Sequence, residues 1–247
     1  MGHAQTSERG VNLVLFEPAE VERPLPRADR RAVHTLEVLR RRPGDELDVG
    51  LVEGPRGKAT LVSVTEDTLV LRFHWGEPPP PLDPIRLLIG LPRPQTARKV
   101  LEEATALGVA AIDFVETERA DPNYARSSLW RTDEWRRHLI AGAEQAFTTR
   151  LPAVRWSLTL AAGLTGLPET ACRLALDNYE APISLSVVPI VAPVVLAVGP
   201  ERGWSTGDRS LLREHGFSFV HLGERVLRTE TACVAAIALV RAGLGLV

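Results

Sequence analysis

The hydrophobic and polar positions of this chain follow two different rhythms. Up to Trp75 the apolar residues come in short runs, Val11–Phe16, Asp45–Val52, Lys58–Val64 and Thr68–Trp75, separated by Gly, Pro and Asp turn signals. One helical segment, Arg30–Arg41, interrupts them, with Val33, Leu36 and Leu39 near one face. Several short strands in so small a stretch predict a β-barrel. After Pro84 the period changes. Ile85–Leu91 reads as a buried strand, and Ala97, Val100, Leu101, Ala104 and Leu107 then repeat at helical spacing from about Thr96 to a stop at Gly108. Ala110–Val115, Leu174–Asp177, Val194–Val198 and Phe217–Leu222 read as further strands, and Trp130–Phe147 as a helix. Strands alternating with helices predict an α/β fold with a mostly parallel sheet. Pro182–Pro193 fits neither pattern.

Between the two regimes lie Pro78–Pro81, Asp83 and Pro84. Consecutive prolines enter neither a helix nor a sheet interior and favour a stiff extended spacer. The expected division is therefore residues 1–77, a linker over 78–84, and a second domain over 85–247.

Two strand ends carry the candidate chemistry. Val194–Val198 runs into Gly199-Pro200-Glu201-Arg202-Gly203-Trp204-Ser205, and Ser205 with Asp208 forms the pattern of a capping box that starts a helix ending near His215. Phe217–Leu222 opens into Gly223-Glu224-Arg225-Val226-Leu227-Arg228-Thr229-Glu230-Thr231, followed by an alanine-rich helix. In a parallel sheet both loops leave at the carboxyl ends of their strands, where ligands bind. Glycines there allow main-chain groups to approach a flat ligand such as adenine. Neither loop has the GxGxxG or GxxxxGK[ST] spacing of a phosphate cradle, which disfavours a triphosphate site.

Composition narrows the picture only slightly. The chain has 247 residues, 45% hydrophobic and 24% charged, as in ordinary globular proteins, with a formal net charge of −2. Any nucleic-acid surface must then be a local patch. The densest basic stretch is Arg27, Arg30, Arg31, Arg40, Arg41 and Arg42, which suits phosphate contact or simply forms a solvated helix face. Cys172 and Cys233 lack metal-ligand spacing and are expected to be buried reduced thiols; no metal is expected. Met1–Gly10 lacks an apolar leader and no run is long enough for a membrane span, so a cytoplasmic, membrane-free protein is expected.

The strings Gly199–Ser205 (GPERGWS) and Leu222–Ala232 (LGERVLRTETA) resemble the C-terminal signature of the bacterial 16S ribosomal RNA uridine-N3 methyltransferase family, RsmE, of the SPOUT superfamily. Ala143–Gln145 with Arg150-Leu151-Pro152, and His34 with Val38-Leu39-Arg40 and Gly44-Asp45, resemble two further family segments. The chain departs from the family pattern at Glu103 and Ala106 and in its early Val11–Leu15 stretch, which leaves the target nucleotide open. The resemblance implies a SPOUT α/β domain with a C-terminal trefoil knot, a PUA-like RNA-binding barrel, and a homodimer acting on small-subunit ribosomal RNA. It implies an S-adenosylmethionine pocket formed by Leu176, Leu196, Val198, Gly199, Pro200, Glu201, Gly203, Leu222, Gly223, Val226, Leu227 and Arg228, with Asp177 beside Leu176. Catalysis would fall to Arg228, Glu201 and Glu230, and RNA contact to Arg30, Arg31, His34, Arg40, Arg41 and Arg93. A SPOUT enzyme for another rRNA or tRNA position, and an inactive RNA-binding relative, are the alternatives.

Overall fold

The structure is a computed structural model that describes residues 13–247. Val11 and Asn12 of the first expected strand, and Met1–Gly10, lie outside the described residues. The chain divides into two compact units.

The first unit reaches Pro80 and holds β1 (Val14–Phe16), β2 (Leu25–Pro26), α1 (Arg30–Val33), β3 (Glu46–Leu51), β4 (Arg56–Val64) and β5 (Thr68–Trp75). The strands form one sheet in the order β1-β3-β4-β5-β2, with Phe16, Leu47, Leu61 and Leu69 among its buried apolar side chains. The expected helix Arg30–Arg41 is shorter and buries other residues. After α1 the chain widens into a π turn, His34–Val38, in which the Leu39 N–H reaches back to the His34 carbonyl. This extra residue per turn rotates the face: Ala32 and Thr35 are buried, while Val33 and Val38 are exposed.

The first unit also takes in Ala143–Arg150, which a contiguous division at the prolines does not include. The Thr149 carbonyl accepts from the Glu53 N–H at 2.9 Å, the Thr149 hydroxyl donates to the Gly54 carbonyl, and the Glu144 carboxylate accepts from the Leu15 N–H.

The second unit carries β6 (Asp83–Gly90), α2 (Pro94–Ala106), β7 (Val109–Glu116), α3 (Ser128–Arg131), α4 (Glu134–Gln145, whose last turn joins the first unit), β8 (Ala153–Thr159), α5 (Leu160–Leu164), β9 (Cys172–Leu176), β10 (Ile183–Ser184), β11 (Val194–Val198), α6 (Thr206–Glu214), β12 (Ser218–His221) and α7 (Thr229–Gly243). Its sheet runs β10-β12-β9-β11-β6-β7-β8 with every neighbouring pair parallel. Period-two alternation buries both faces: Leu87, Ile112 and Leu196 pack on one side, Leu88, Val115 and Val195 on the other. Within this sheet Asp113 is fully buried, and Arg86 and Arg155 bracket its carboxylate at 2.8 and 2.7 Å, as a charge removed from water requires.

The sequence reading places β6, β7, β9, β11 and β12 within a few residues. It omits β8, an edge strand whose side chains alternate only between exposed and half-buried. The single helix expected over Trp130–Phe147 is two helices, because Thr132 is extended. Pro182–Pro193 supplies β10 and one short turn, Leu185–Val187. Both cysteines are free, but Cys172 is only partly buried; burial pushes the Cys233 thiol up to about 12. Among the described residues no helix is long and apolar enough to cross a membrane.

Candidate active site

Because β12, β9 and β11 are adjacent and parallel, three loops leave one edge of the sheet together: Asp177–Tyr179 after β9, Gly199–Ser205 after β11, and Leu222–Arg228 after β12. They enclose a cavity of about 520 Å³. That lies in the range of small-molecule pockets.

The β11 loop is held from within. The Gly203 N–H closes a turn on the Pro200 carbonyl at 2.8 Å, with Gly203 in the left-handed region at φ +65°. Trp204 is 1% exposed and donates its indole N–H to the Leu176 carbonyl at 3.0 Å, tying this loop to the end of β9. Ser205 and Asp208 form the capping box expected of them, both halves at 2.9 Å. At the end of β6, a Cβ on Gly90 would come within 2.4 Å of the Pro200 ring. Only glycine lets that strand pass beneath the loop.

The β9 loop is held by charge. Asp177 accepts from the Tyr179 and Glu180 N–H groups, each at 2.7 Å, and its other oxygen takes the Arg209 guanidinium at 2.8 Å. Both side chains of that pair are under a tenth exposed. The Asp177 carboxylate is therefore occupied in bracing its own loop.

The β12 loop is different. Val226 is 80% exposed and Leu227 is 36% exposed. Among the described residues the Arg228 guanidinium has no hydrogen-bond partner, and Arg228 sits at the N-cap of α7 without a side-chain cap.

Of the residues named from sequence, Leu176, Asp177, Val198, Gly199, Pro200, Glu201, Gly203, Leu222, Val226, Leu227, Arg228 and Glu230 line the cavity. Leu196 and Gly223 do not. Leu196 is one pleat repeat below the strand end and is fully buried in the core, and Gly223 serves its own turn at φ +105°. Arg93, expected to touch RNA, also lines this cavity, where its backbone N–H donates to Glu201 at 3.1 Å and its guanidinium faces the same carboxylate at 3.6 Å. Asn178, Tyr179, Arg202, Trp204, Arg225, Thr229 and Ala232 also line it and were not singled out; most sit inside the very loops that sequence marked.

Glu230 meets opposing influences. Burial alone would raise its carboxyl, but its own backbone N–H, the Lys99 ammonium at 3.1 Å and the Arg228 charge outweigh that and hold it below the usual carboxylate range.

In the first unit Arg31 must be removed from the RNA-facing set. It bridges Glu20 at 2.7 Å and Asp29 at 2.8 Å, donates to the Leu15 carbonyl, and stacks over Phe16 at 4.8 Å. The hydrogen bonds from Arg31 hold both carboxyls below their ordinary range, and Glu20 in turn raises the arginine. A guanidinium with this many internal partners has no donors left for phosphate. Arg30 is largely exposed and pairs with Glu144 at 3.3 Å. His34 is half-buried, and Arg40 and Arg41 are exposed, Arg40 in the left-handed region at φ +53°.

A family model described as an RNA methyltransferase domain matches residues 78–241. The chain is 35% identical to the ribosomal RNA small subunit methyltransferase E of Treponema pallidum, over 94% of this chain and 91% of that protein. It is 28% identical to ribosomal RNA small subunit methyltransferase E 1 of Borreliella burgdorferi, over 92% and 95%. In structure it is similar to a ribosomal RNA small subunit methyltransferase E of Neisseria gonorrhoeae crystallised with S-adenosyl methionine, with a TM-score of 0.73, 26% identity, and 94% and 97% of the two chains covered.

Proposed function

The chain belongs to the ribosomal RNA small subunit methyltransferase E family, and from that membership we propose that it transfers a methyl group from S-adenosylmethionine to N3 of a uridine in small-subunit ribosomal RNA. The observation that carries this reading is the cavity where three parallel strands end.

The donor set fits the cofactor. Leu176, Val198, Leu222, Val226 and Leu227 offer apolar wall for a flat adenine, and the loop backbone offers donors and acceptors for its edge and for the ribose. When bound, S-adenosylmethionine supplies an electrophilic methyl group on a sulfonium, so the protein need not activate the donor. The chain's own task lies with the acceptor. N3 of uridine carries a proton that must leave before its electron pair can form the new bond to carbon. Arg228, cationic and without a hydrogen-bond partner among the described residues, is placed to stabilise the negative charge that spreads onto the uracil carbonyl oxygens. Glu230, paired with the Lys99 ammonium at 3.1 Å, orients Arg228 electrostatically. Glu201, steered by its bond from the Arg93 N–H, is the candidate acceptor. Holding nucleophile and methyl in line supplies part of the barrier reduction.

The same reading carries the C-terminal knot, the PUA-like role of the first unit with Arg30, His34, Arg40 and Arg41 toward RNA, the homodimer and a cytoplasmic setting. The test is methyl transfer from labelled S-adenosylmethionine onto purified small ribosomal subunits, followed by nucleoside mass spectrometry. N3-methyluridine is expected. A different methylated nucleoside would reassign the target, and no transfer with intact cofactor binding would remove the catalytic reading.

A further inference from the structure

The cavity rim carries one large, exposed aromatic side chain. Tyr179 lines the cavity and is 81% exposed, although it is one of only two tyrosines in the chain. An exposed aromatic ring on a loop is usually loosely held, and this one is not. Its backbone N–H is fixed at 2.7 Å by Asp177, whose carboxylate is in turn fixed by the buried Arg209. The Arg209 guanidinium also sits over the ring, 5.6 Å from its centroid. A buried ion pair is costly to assemble, and here it rigidifies the backbone that presents an exposed ring. Around the same rim stand Arg202, Arg225 and Arg228, all exposed.

An open aromatic face beside several arginines is the chemistry by which proteins hold unpaired nucleotides, the ring stacking on a base and the guanidinium groups meeting the phosphates. A base modified on its pairing edge must first leave its stack, because N3 of uridine lies inside a base pair.

We propose that Tyr179 is the platform on which the target base stacks after it turns out of the RNA, with Arg202 and Arg225 receiving the flanking phosphates. The ring face opposite Arg209 is the one the base covers. The Asp177–Arg209 pair is a positioning device that keeps this face at the cavity mouth. This rests on the methyltransferase reading above and adds to it where the acceptor base binds.

The test compares wild type with Tyr179→Phe, Tyr179→Leu and Tyr179→Ala in the full chain. Each is measured for S-adenosylmethionine affinity by calorimetry and for steady-state methyl transfer to small ribosomal subunits. Base–aromatic stacking predicts that Tyr179→Ala and Tyr179→Leu lower kcat/KM for the RNA by roughly 5- to 150-fold. Tyr179→Phe, which keeps the ring, should stay within a few-fold of wild type, and cofactor affinity should hold in all three. Equal RNA kinetics for Tyr179→Ala and wild type would overturn the proposal. So would a fall in cofactor affinity matching the fall in transfer, since the ring would then pack on the adenosyl group or merely hold the loop. Failure of the wild type itself to bind cofactor or transfer methyl would instead strike the parent reading.

Discussion

The two loops that end β11 and β12 line the same cavity and are built on opposite plans. In the β11 loop the Gly203 N–H, the Trp204 indole and the Ser205–Asp208 box each have a partner inside the protein. In the β12 loop Val226, Leu227 and Arg228 are exposed along the cavity they line, and the Arg228 guanidinium lacks a hydrogen-bond partner among the described residues. A group that the fold already satisfies shapes a site, whereas an unsatisfied one is available to whatever enters it. The same division separates Arg31, enclosed by Glu20 and Asp29, from the exposed Arg40 and Arg41.

If that division is sound, substitutions in the two loops should fail in different ways. The largest effect belongs to Arg228→Ala, expected to lower methyl transfer by roughly a hundred- to a thousand-fold while S-adenosylmethionine affinity, read by calorimetry, changes only a few-fold. Parallel losses would mean that Arg228 merely holds the cofactor.

Trp204→Ala should act through the fold. Removing a fully buried indole and the donor on the Leu176 carbonyl is expected to cost about 3–5 kcal/mol in denaturant unfolding. A variant of native stability that still lost activity would contradict the view of this loop as scaffold.

Arg31→Met carries the comparison into the first unit. Glu20 and Asp29 are held below their ordinary values of 4.5 and 3.8 by Arg31, so this contribution is fully present above those values and is lost as pH falls through the depressed ones. Wild type should exceed the variant by about 1–3 kcal/mol near neutrality. The gap should close in acid unfolding titrations below pH 4.5. A gap independent of pH, or a matching loss of RNA affinity, would return Arg31 to the RNA surface.

The smallest effect is Val226→Ser. Stability should stay within about 0.5 kcal/mol, because the side chain is already in water, while cofactor affinity weakens a few-fold. No change in affinity would place the adenosyl group elsewhere in the cavity.

What sequence could reveal tracks the range of the interactions concerned. The Ser205–Asp208 capping box, the strand Val194–Val198 and the stop at Gly216 are settled by neighbours a few residues away, and all three stand where the pattern puts them. Tyr179 owes its position to Arg209, and Gly90 owes its identity to the Pro200 ring, partners brought close only by the strand order. Arg31 reads as one basic residue among several until burial places it between two carboxylates. Leu196, which the resemblance assigns to the cofactor wall, lies by period-two geometry a layer below the strand end, in the core. β8 alternates strictly, with Val154 and Trp156 against the core, but its edge position leaves that face only half-buried.

The return of Ala143–Arg150 to the first unit bears on how the molecule can be dissected. A fragment cut after Pro80 keeps all five strands of its sheet but strips the Leu15 N–H, the Glu53 N–H and the Gly54 carbonyl of their counterparts. Its apparent independence along the chain is misleading: the piece that completes it is encoded far downstream, so a clean excision must graft that octapeptide back onto it.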